Sequence, residues 1–169
     1  IVVTDIMSEA KEIAQSNFNA DDMNVDVRIG NLFEPIKKNE NFDIILSDVA
    51  AISEDLNQYI NWYDGIPCET GVDGLSLISE ILNQIKQFLK PNGIFIYPVL
   101  SLCDEEQLEK KVKKVFNNNK PLLEKEWPLK VESSELVNCI DKLKELKYLD
   151  FKRKSGFHVF RTQVYVASF

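Results

Sequence analysis

Three short polar stretches, each following a run of apolar residues, hold most of the side chains in this sequence that could do chemistry. Asp5 closes the run Ile1-Val2-Val3-Thr4. In open α/β sheets, ligands bind at the carboxyl ends of strands. A carboxylate there can accept hydrogen bonds from both hydroxyls of a ribose. It can equally be a solvated strand-end acid or a helix cap. Gly30-Asn31-Leu32-Phe33 follows Asn24–Ile29. The Asn31 amide can read a nucleobase edge, and Leu32 or Phe33 can pack on its face; the same residues also read as a turn. Ser47-Asp48-Val49-Ala50-Ala51-Ile52 follows the most apolar run, Phe42–Leu46. A polar pair directly after a buried strand sits at the ligand edge of a sheet, or starts a cap or turn.

These stretches need strands to hold them. Residues 1–5 and 24–30 read as strands, the second from alternation of Val25, Val27 and Ile29 with polar neighbours. Phe42, Ile44, Ile45 and Leu46 are apolar on both faces, the pattern of a central parallel strand covered on both sides. Between the first two, Ser8 reads as the N-cap of a helix carrying Glu9, Glu12, Ile13 and Ala14. The spacing of Leu75, Ile78, Leu82, Ile85 and Leu89 predicts a helix over 73–93, stopped by Pro91, Asn92 and Gly93. Residues 94–100 form another apolar strand. Residues 104–119 form a solvent-facing helix with acids first and lysines last. Residues 121–131 are ambiguous, and Ser133 or Ser134 starts a further helix through Glu135, Leu136, Ile140, Leu143 and Leu146. Two strand-like runs around Gly156 end the sequence as an antiparallel hairpin. The stretch from Val49 to Val72 is long for a loop, so it is either functional or hides an element. Alternating strands and helices with a terminal hairpin predict an α/β protein, mostly parallel in its sheet.

Composition narrows the function. The chain has 169 residues, 44% hydrophobic and 28% charged, the balance of one ordinary globular domain spanning 1–169. Acids exceed bases to give a net charge of −7, which repels a phosphate backbone and makes nucleic acid an unlikely partner. Lys142, Lys144, Lys147, Lys152, Arg153 and Lys154 form a basic cluster, diluted by Asp141, Glu145 and Asp150. No apolar run reaches the roughly 20 residues of a membrane span. Cys68, Cys103 and Cys139 are odd in number and widely spaced, which predicts reduced thiols in a cytoplasmic protein and no metal site. His158, the single histidine, reads as a strand side chain.

Taken together, Val2-Val3-Thr4-Asp5-Ile6, Gly30–Ile36, Phe42–Ile52 and Glu69–Ile96 resemble class I S-adenosylmethionine-dependent methyltransferases. More narrowly they resemble the HemK-like branch, which methylates a glutamine amide in release factors. The resemblance covers residues 1–100 and implies a Rossmann-like fold using S-adenosylmethionine. It implies that Asp5 holds the cofactor ribose, with Ile6 beside the adenine. It implies that Asn31 and Leu32 contact the adenine, Asn31 standing where the family has an acid. Ser47 would complete the cofactor-binding set. Asp48 would face the methyl acceptor, a protein or small molecule, with Val49, Trp62 and Tyr63 on the substrate side.

Two departures shape the expectation. The family's glycine-rich loop is absent and the sequence starts at the family's second strand, so a missing first strand and helix are expected upstream. The family's Asn-Pro-Pro-Tyr is Asp48-Val49-Ala50-Ala51 here. Asp48 can accept N–H bonds but cannot donate as Asn does, and Ala51 offers no ring. An amine, hydroxyl or carboxylate acceptor is then favoured over a planar amide. Burial at the strand end would make Asp48 a general base. The competing expectations are a catalytically decayed interaction module and an unrelated α/β nucleotide-binding domain.

Overall fold

The computed structural model describes residues 1–20, 23–60, 62–63, 65–66, 69–129, 137–138, 141–142 and 152–169. The expected helix from Ser133 or Ser134 through Leu146 lies largely outside these residues, although 137–138 and 141–142 are helical. Cys68, Cys139, Lys144, Lys147, Glu145 and Asp150 also fall outside them. The chain forms two compact units, Ile1–Glu40 with Gly65–Pro67, and Asn41–Asp64 with Cys68–Phe169.

In the first unit, strand β1 (Val2–Asp5) pairs in parallel with β2 (Asp26–Ile29), Asp5 opposite Ile29, and helix α1 (Ala10–Ala20) connects them. A crossover helix is what two parallel neighbours require. Ser8 does not cap α1 as expected: its hydroxyl donates to the Glu9 carboxylate at 2.9 Å. No first-turn amide reaches its hydroxyl oxygen among the described residues, and the helix starts two residues later.

In the second unit, β3 (Phe42–Leu46), β4 (Leu89–Leu100), β7 (Phe157–Ser168) and β5 (Asn118–Leu129) lie in the order β3-β4-β7-β5, with the short β6 (Lys152–Lys154) also on β7. β3 and β4 are parallel, and β7 is antiparallel to β4, β5 and β6, so the sheet is mixed. The α/β class and the terminal hairpin, at β6–β7, are those expected from the sequence, while in the larger sheet β3–β4 is the one parallel pair among the described strands.

β3 departs from its expected covered position. Among the described residues it pairs only with β4, and Ile44 and Leu46 are 57% and 69% exposed. Its residues are apolar enough for burial, but only one edge meets a strand of this sheet.

Helix α3 (Ser76–Gln84) runs into a single 3₁₀ turn, Ile85–Gln87. The five stripe residues Leu75, Ile78, Leu82, Ile85 and Leu89 are all buried. Each contributes roughly 2 kcal/mol of transfer free energy before entropy costs. The helix stops earlier than its stripe because the Phe42 amide takes the Phe88 carbonyl at 2.8 Å and Leu89 pairs with Phe42. Pro91–Gly93 then fall in an irregular start of β4. A Cβ on Gly93 would lie 2.7 Å from Leu89 Cδ1 and 3.0 Å from the Lys90 carbonyl oxygen, so a larger residue here would have to displace the buried Leu89 side chain.

Helix α4 (Glu105–Val115) is capped by Asp104, whose carboxylate accepts from the Gln107 amide at 2.9 Å. It buries Leu108 and Val112 and keeps Lys110 and Lys113 outside on i,i+4 pairs with Glu106 and Glu109. The ambiguous segment 121–131 supplies most of β5. Pro121 and Pro128 fit it because β5 is an edge strand. The long stretch after β3 hides helix α2 (Glu54–Ile60).

Candidate functional site

At the carboxyl edge of the β1–β2 pair, Asp5 and the Gly30–Phe33 turn come together. The Gly30 amide donates to the Asp5 carbonyl at 2.9 Å, continuing the ladder one step past the strands. Asp5 Oδ1 accepts from the Met7 amide at 2.7 Å, an Asx-type turn that fixes the carboxylate beside the exposed Ile6. Its Oδ2 has no partner among the described residues. The Asn31 side-chain amide is likewise unpaired among them, because the turn is closed by backbone: the Glu34 amide donates to the Asn31 carbonyl at 2.9 Å. Leu32 sits at φ 46°, a conformation that disfavours non-glycine residues by about 1–2 kcal/mol. Such strain in a turn next to open polar groups is typical of ligand-binding backbone.

That turn is held by an arginine fork that spacing alone did not reveal. Arg28 donates to Glu40 through both terminal nitrogens, at 2.6 and 2.8 Å, to the Pro35 carbonyl at 3.1 Å, and to Asp26 at 2.8 Å. Bidentate pairing of this kind fixes orientation as well as charge. The guanidinium holds the Glu40 carboxyl at about 2, well below its ordinary 4.5. A carboxyl whose folded value is lowered adds stability above its ordinary value and loses it as pH falls through the folded one. The 30–40 segment is therefore expected to loosen between pH 4.5 and 2. Amide exchange of that segment should show this, and Glu40→Gln should remove the pH dependence in that window.

In the second unit, the residues after β3 begin with Ser47, whose amide donates to the Ile96 carbonyl at 2.9 Å. Ser47 is buried, and its Oγ has no hydrogen-bond partner among the described residues. Asp48 is exposed. The burial on which its expected general-base role depends is missing, because its side chain stands in solvent beyond the end of the sheet. Val49 lies half-buried with Ser47, Ala51, Ile78, Pro98 and Leu108 around a small apolar cavity of about 10 Å³.

Three chain segments meet behind this loop. Thr70 Oγ1 donates to the Ile52 carbonyl at 2.6 Å, and the Gly71 amide donates to Glu54 Oε1 at 2.7 Å. The Ser53 amide donates to the Leu102 carbonyl at 2.9 Å, and the Asp104 amide to the Asp73 carbonyl at 2.9 Å. Gly74 is packed at the centre, at φ 76°, where a Cβ would lie 2.9 Å from the Ser53 nitrogen. Gly71–Leu75 is thus a clamp on the post-β3 loop, and its amides and carbonyls do the holding.

Trp62 and Tyr63 follow α2. Trp62 packs on Phe160 with ring centroids 5.2 Å apart, and Tyr63 rests on the cluster of Ile52, Leu56, Leu102, Leu129 and Phe160. Trp62 keeps 43% of its surface exposed. Asp64 lies outside the described residues. His158 is buried in β7. Cys103 is buried, and burial pushes its thiol up to about 12, which makes it unreactive near neutrality. Among the described residues no group of His, Cys, Asp or Glu is arranged to hold a metal ion, and no helix is long and apolar enough to cross a membrane.

The profile of a family described as "Methyltransferase domain" matches residues 3–153. A bifunctional methyltransferase of Rickettsia prowazekii is 36% identical over 107 residues, 59% of this chain and 20% of that protein. A release factor glutamine methyltransferase of Clostridium acetobutylicum is 30% identical over 109 residues, 59% of this chain and 38% of that protein. The matches thus span well under half the length of these relatives. Among solved structures, a Bacillus halodurans protein superposes with a TM-score of 0.56 at 12% identity, covering 98% of this chain and 80% of that one. The YcgJ protein of Bacillus subtilis gives 0.55 at 12% identity, covering 99% and 81%. At such identity the likeness is one of fold.

Proposed function

The chain belongs to the methyltransferase-domain family, and on that premise we propose that it transfers a methyl group from S-adenosylmethionine to a nitrogen or oxygen nucleophile, in the manner of the HemK-like, release-factor-methylating branch. The observation that carries the reading is the open Asp5 carboxylate oxygen fixed beside exposed Ile6. An acceptor for a ribose diol next to an apolar surface for a purine suits the nucleoside half of this cofactor. When bound, S-adenosylmethionine supplies an electrophilic methyl group on a sulfonium. Asp5 accepts the ribose hydroxyls and Ile6 packs on the adenine. Asn31 reads the adenine edge, with Leu32 against its face.

Asp48 takes the acceptor side. Its exposed carboxylate accepts an N–H or O–H bond from the nucleophile and so aims a lone pair. Its role is orientation, with proton loss to solvent. Val49, Trp62 and Tyr63 line the approach. Similarity to a release factor glutamine methyltransferase supports a protein as acceptor, whereas Asp48 in place of Asn supports an acceptor that donates to a carboxylate. The family match over residues 3–153 favours the enzyme over the decayed interaction module, which the altered Asp48–Ala51 tetrapeptide had suggested.

Incorporation of labelled methyl from S-adenosylmethionine into candidate proteins tests the reading. Asp48→Ala should lower the rate by about 100-fold, the range typical of orienting groups, with cofactor affinity unchanged. Asp48→Asn should retain much of the rate with no new pH dependence. Equal rates in Asp48→Ala and the parent would remove Asp48 from the acceptor side.

A further inference from the structure

The β5–β7 pair runs on past the sheet. β4 ends with Leu100 opposite Thr162, while β5 continues to Leu129 opposite His158, and Arg153 of β6 pairs with His158 from the other side. Strand alternation puts Lys125, Trp127 and Leu129 of β5, His158, Phe160 and Thr162 of β7, and Arg153 of β6 on one face of this wing. Leu129 and Phe160 are buried there beneath Ile52, Leu56 and Trp62. The outer part stays open: Leu123 is 57% exposed, Trp127 41% and Trp62 43%. Lys125 Nζ stands 3.9 Å above the Trp127 ring, and Arg153 is exposed without an ion-pair partner among the described residues. Among the described residues of β5, the carboxylates Glu124 and Glu126 alternate to the opposite face, where they meet Gln163 and Lys154.

Among the described residues, one face therefore carries two half-open tryptophans and the cations Lys125 and Arg153, in a protein whose net charge is −7. Sequence order scattered these residues over 62, 125–127, 153 and 160; pairing brings them together. The geometry points to this face as the docking surface for an acidic peptide segment of the methyl-accepting protein. Its carboxylates would meet Lys125 and Arg153, and its apolar side chains would lie on Trp62 and Trp127. Aromatic residues and arginine are the side chains that dominate such interfaces. Charge complementarity selects an acidic partner and repels a nucleic-acid strand less well than the rest of the surface does, so RNA serves as the contrast. This inference rests on the proposal of a protein acceptor.

The test is fluorescence anisotropy of the whole chain with three short labelled probes: a peptide alternating Glu and Leu, its Lys–Leu counterpart, and a poly-U RNA. The Glu–Leu peptide is expected to bind best and to weaken with salt. Lys125→Glu with Arg153→Glu should weaken it by at least about tenfold, the scale of paired rim charges, and Trp127→Ala should do so independently. Lys11→Glu, in the other unit, should leave it unchanged. Equal binding of both peptides, tighter binding of the RNA, or no response to the double charge reversal would overturn the inference. Binding of S-adenosylhomocysteine, measured on the same variants, separates the two readings. Retained cofactor affinity with lost peptide binding supports the docking face, whereas peptide binding by a chain that binds no cofactor would leave a peptide-binding face but overturn the proposed methyl transfer, and with it the assignment of the peptide to a methyl acceptor.

Discussion

Gly74→Ala is expected to destabilise the second unit by about 4 kcal/mol, combining left-handed backbone strain with overpacking. Gly74 sits at φ 76°, and the added methyl would meet Cys103 Cβ at 2.8 Å, the Ser53 nitrogen at 2.9 Å and the Ile52 carbonyl carbon at 3.0 Å. Two of these are backbone and cannot swing aside. The third is the root of a buried side chain. Relief requires the post-β3 loop to move off the clamp, breaking the contact that holds Ile52 beside Thr70. Chemical denaturation should report the loss. Gly65→Ala is the contrast: Gly65 has a similar φ of 75° but nothing within 4 Å of an added Cβ. It should show only the backbone strain, about 1 kcal/mol. Similar losses for the two substitutions would mean that close packing at Gly74 does not matter.

Asp5→Ala is expected to weaken S-adenosylhomocysteine binding by roughly 100-fold, with little change in stability. Two hydrogen bonds to a charged acceptor contribute about 3 kcal/mol together. The carboxylate is exposed and its one partner among the described residues is the Met7 amide, so the fold barely depends on it. Asp5→Asn keeps one acceptor and the turn geometry, and should lie between the two. Calorimetric titration of the three proteins decides this. A loss of affinity accompanied by an equal loss of folding stability would point to a structural role for Asp5.

What the sequence made legible depended on how locally each feature is written. The α3 stripe is a strictly local code, and all five of its residues are buried. The apolar run of β4 and the glycine-centred β6–β7 hairpin are local in the same sense. Helix α2 was missed because seven residues with Leu56, Tyr59 and Ile60 as anchors are too short to show a period. β5 was ambiguous because its prolines and alternating charges suit only an edge, and edge position is a tertiary property. At the candidate site, strand-end placement pointed to Asp5 and Asn31, which lie together at the carboxyl edge of β1 and β2. It found neither the Arg28–Glu40 fork, whose partners lie twelve positions apart, nor the packing at Gly74. It also led to an expectation of burial at Asp48, because an apolar strand does not reveal that its last polar residue overhangs the sheet.

The central claim is that the carboxyl edge of the β1–β2 pair receives the nucleoside of S-adenosylmethionine. Hydrogen–deuterium exchange with and without S-adenosylhomocysteine measures this at the amides concerned. The Met7 amide, bonded to Asp5 Oδ1, and the amides of residues 30–33 should slow when the ligand is added. Ligand binding that leaves Met7 and residues 30–33 exchanging at their free rates would contradict the claim, because the nucleoside would then sit elsewhere.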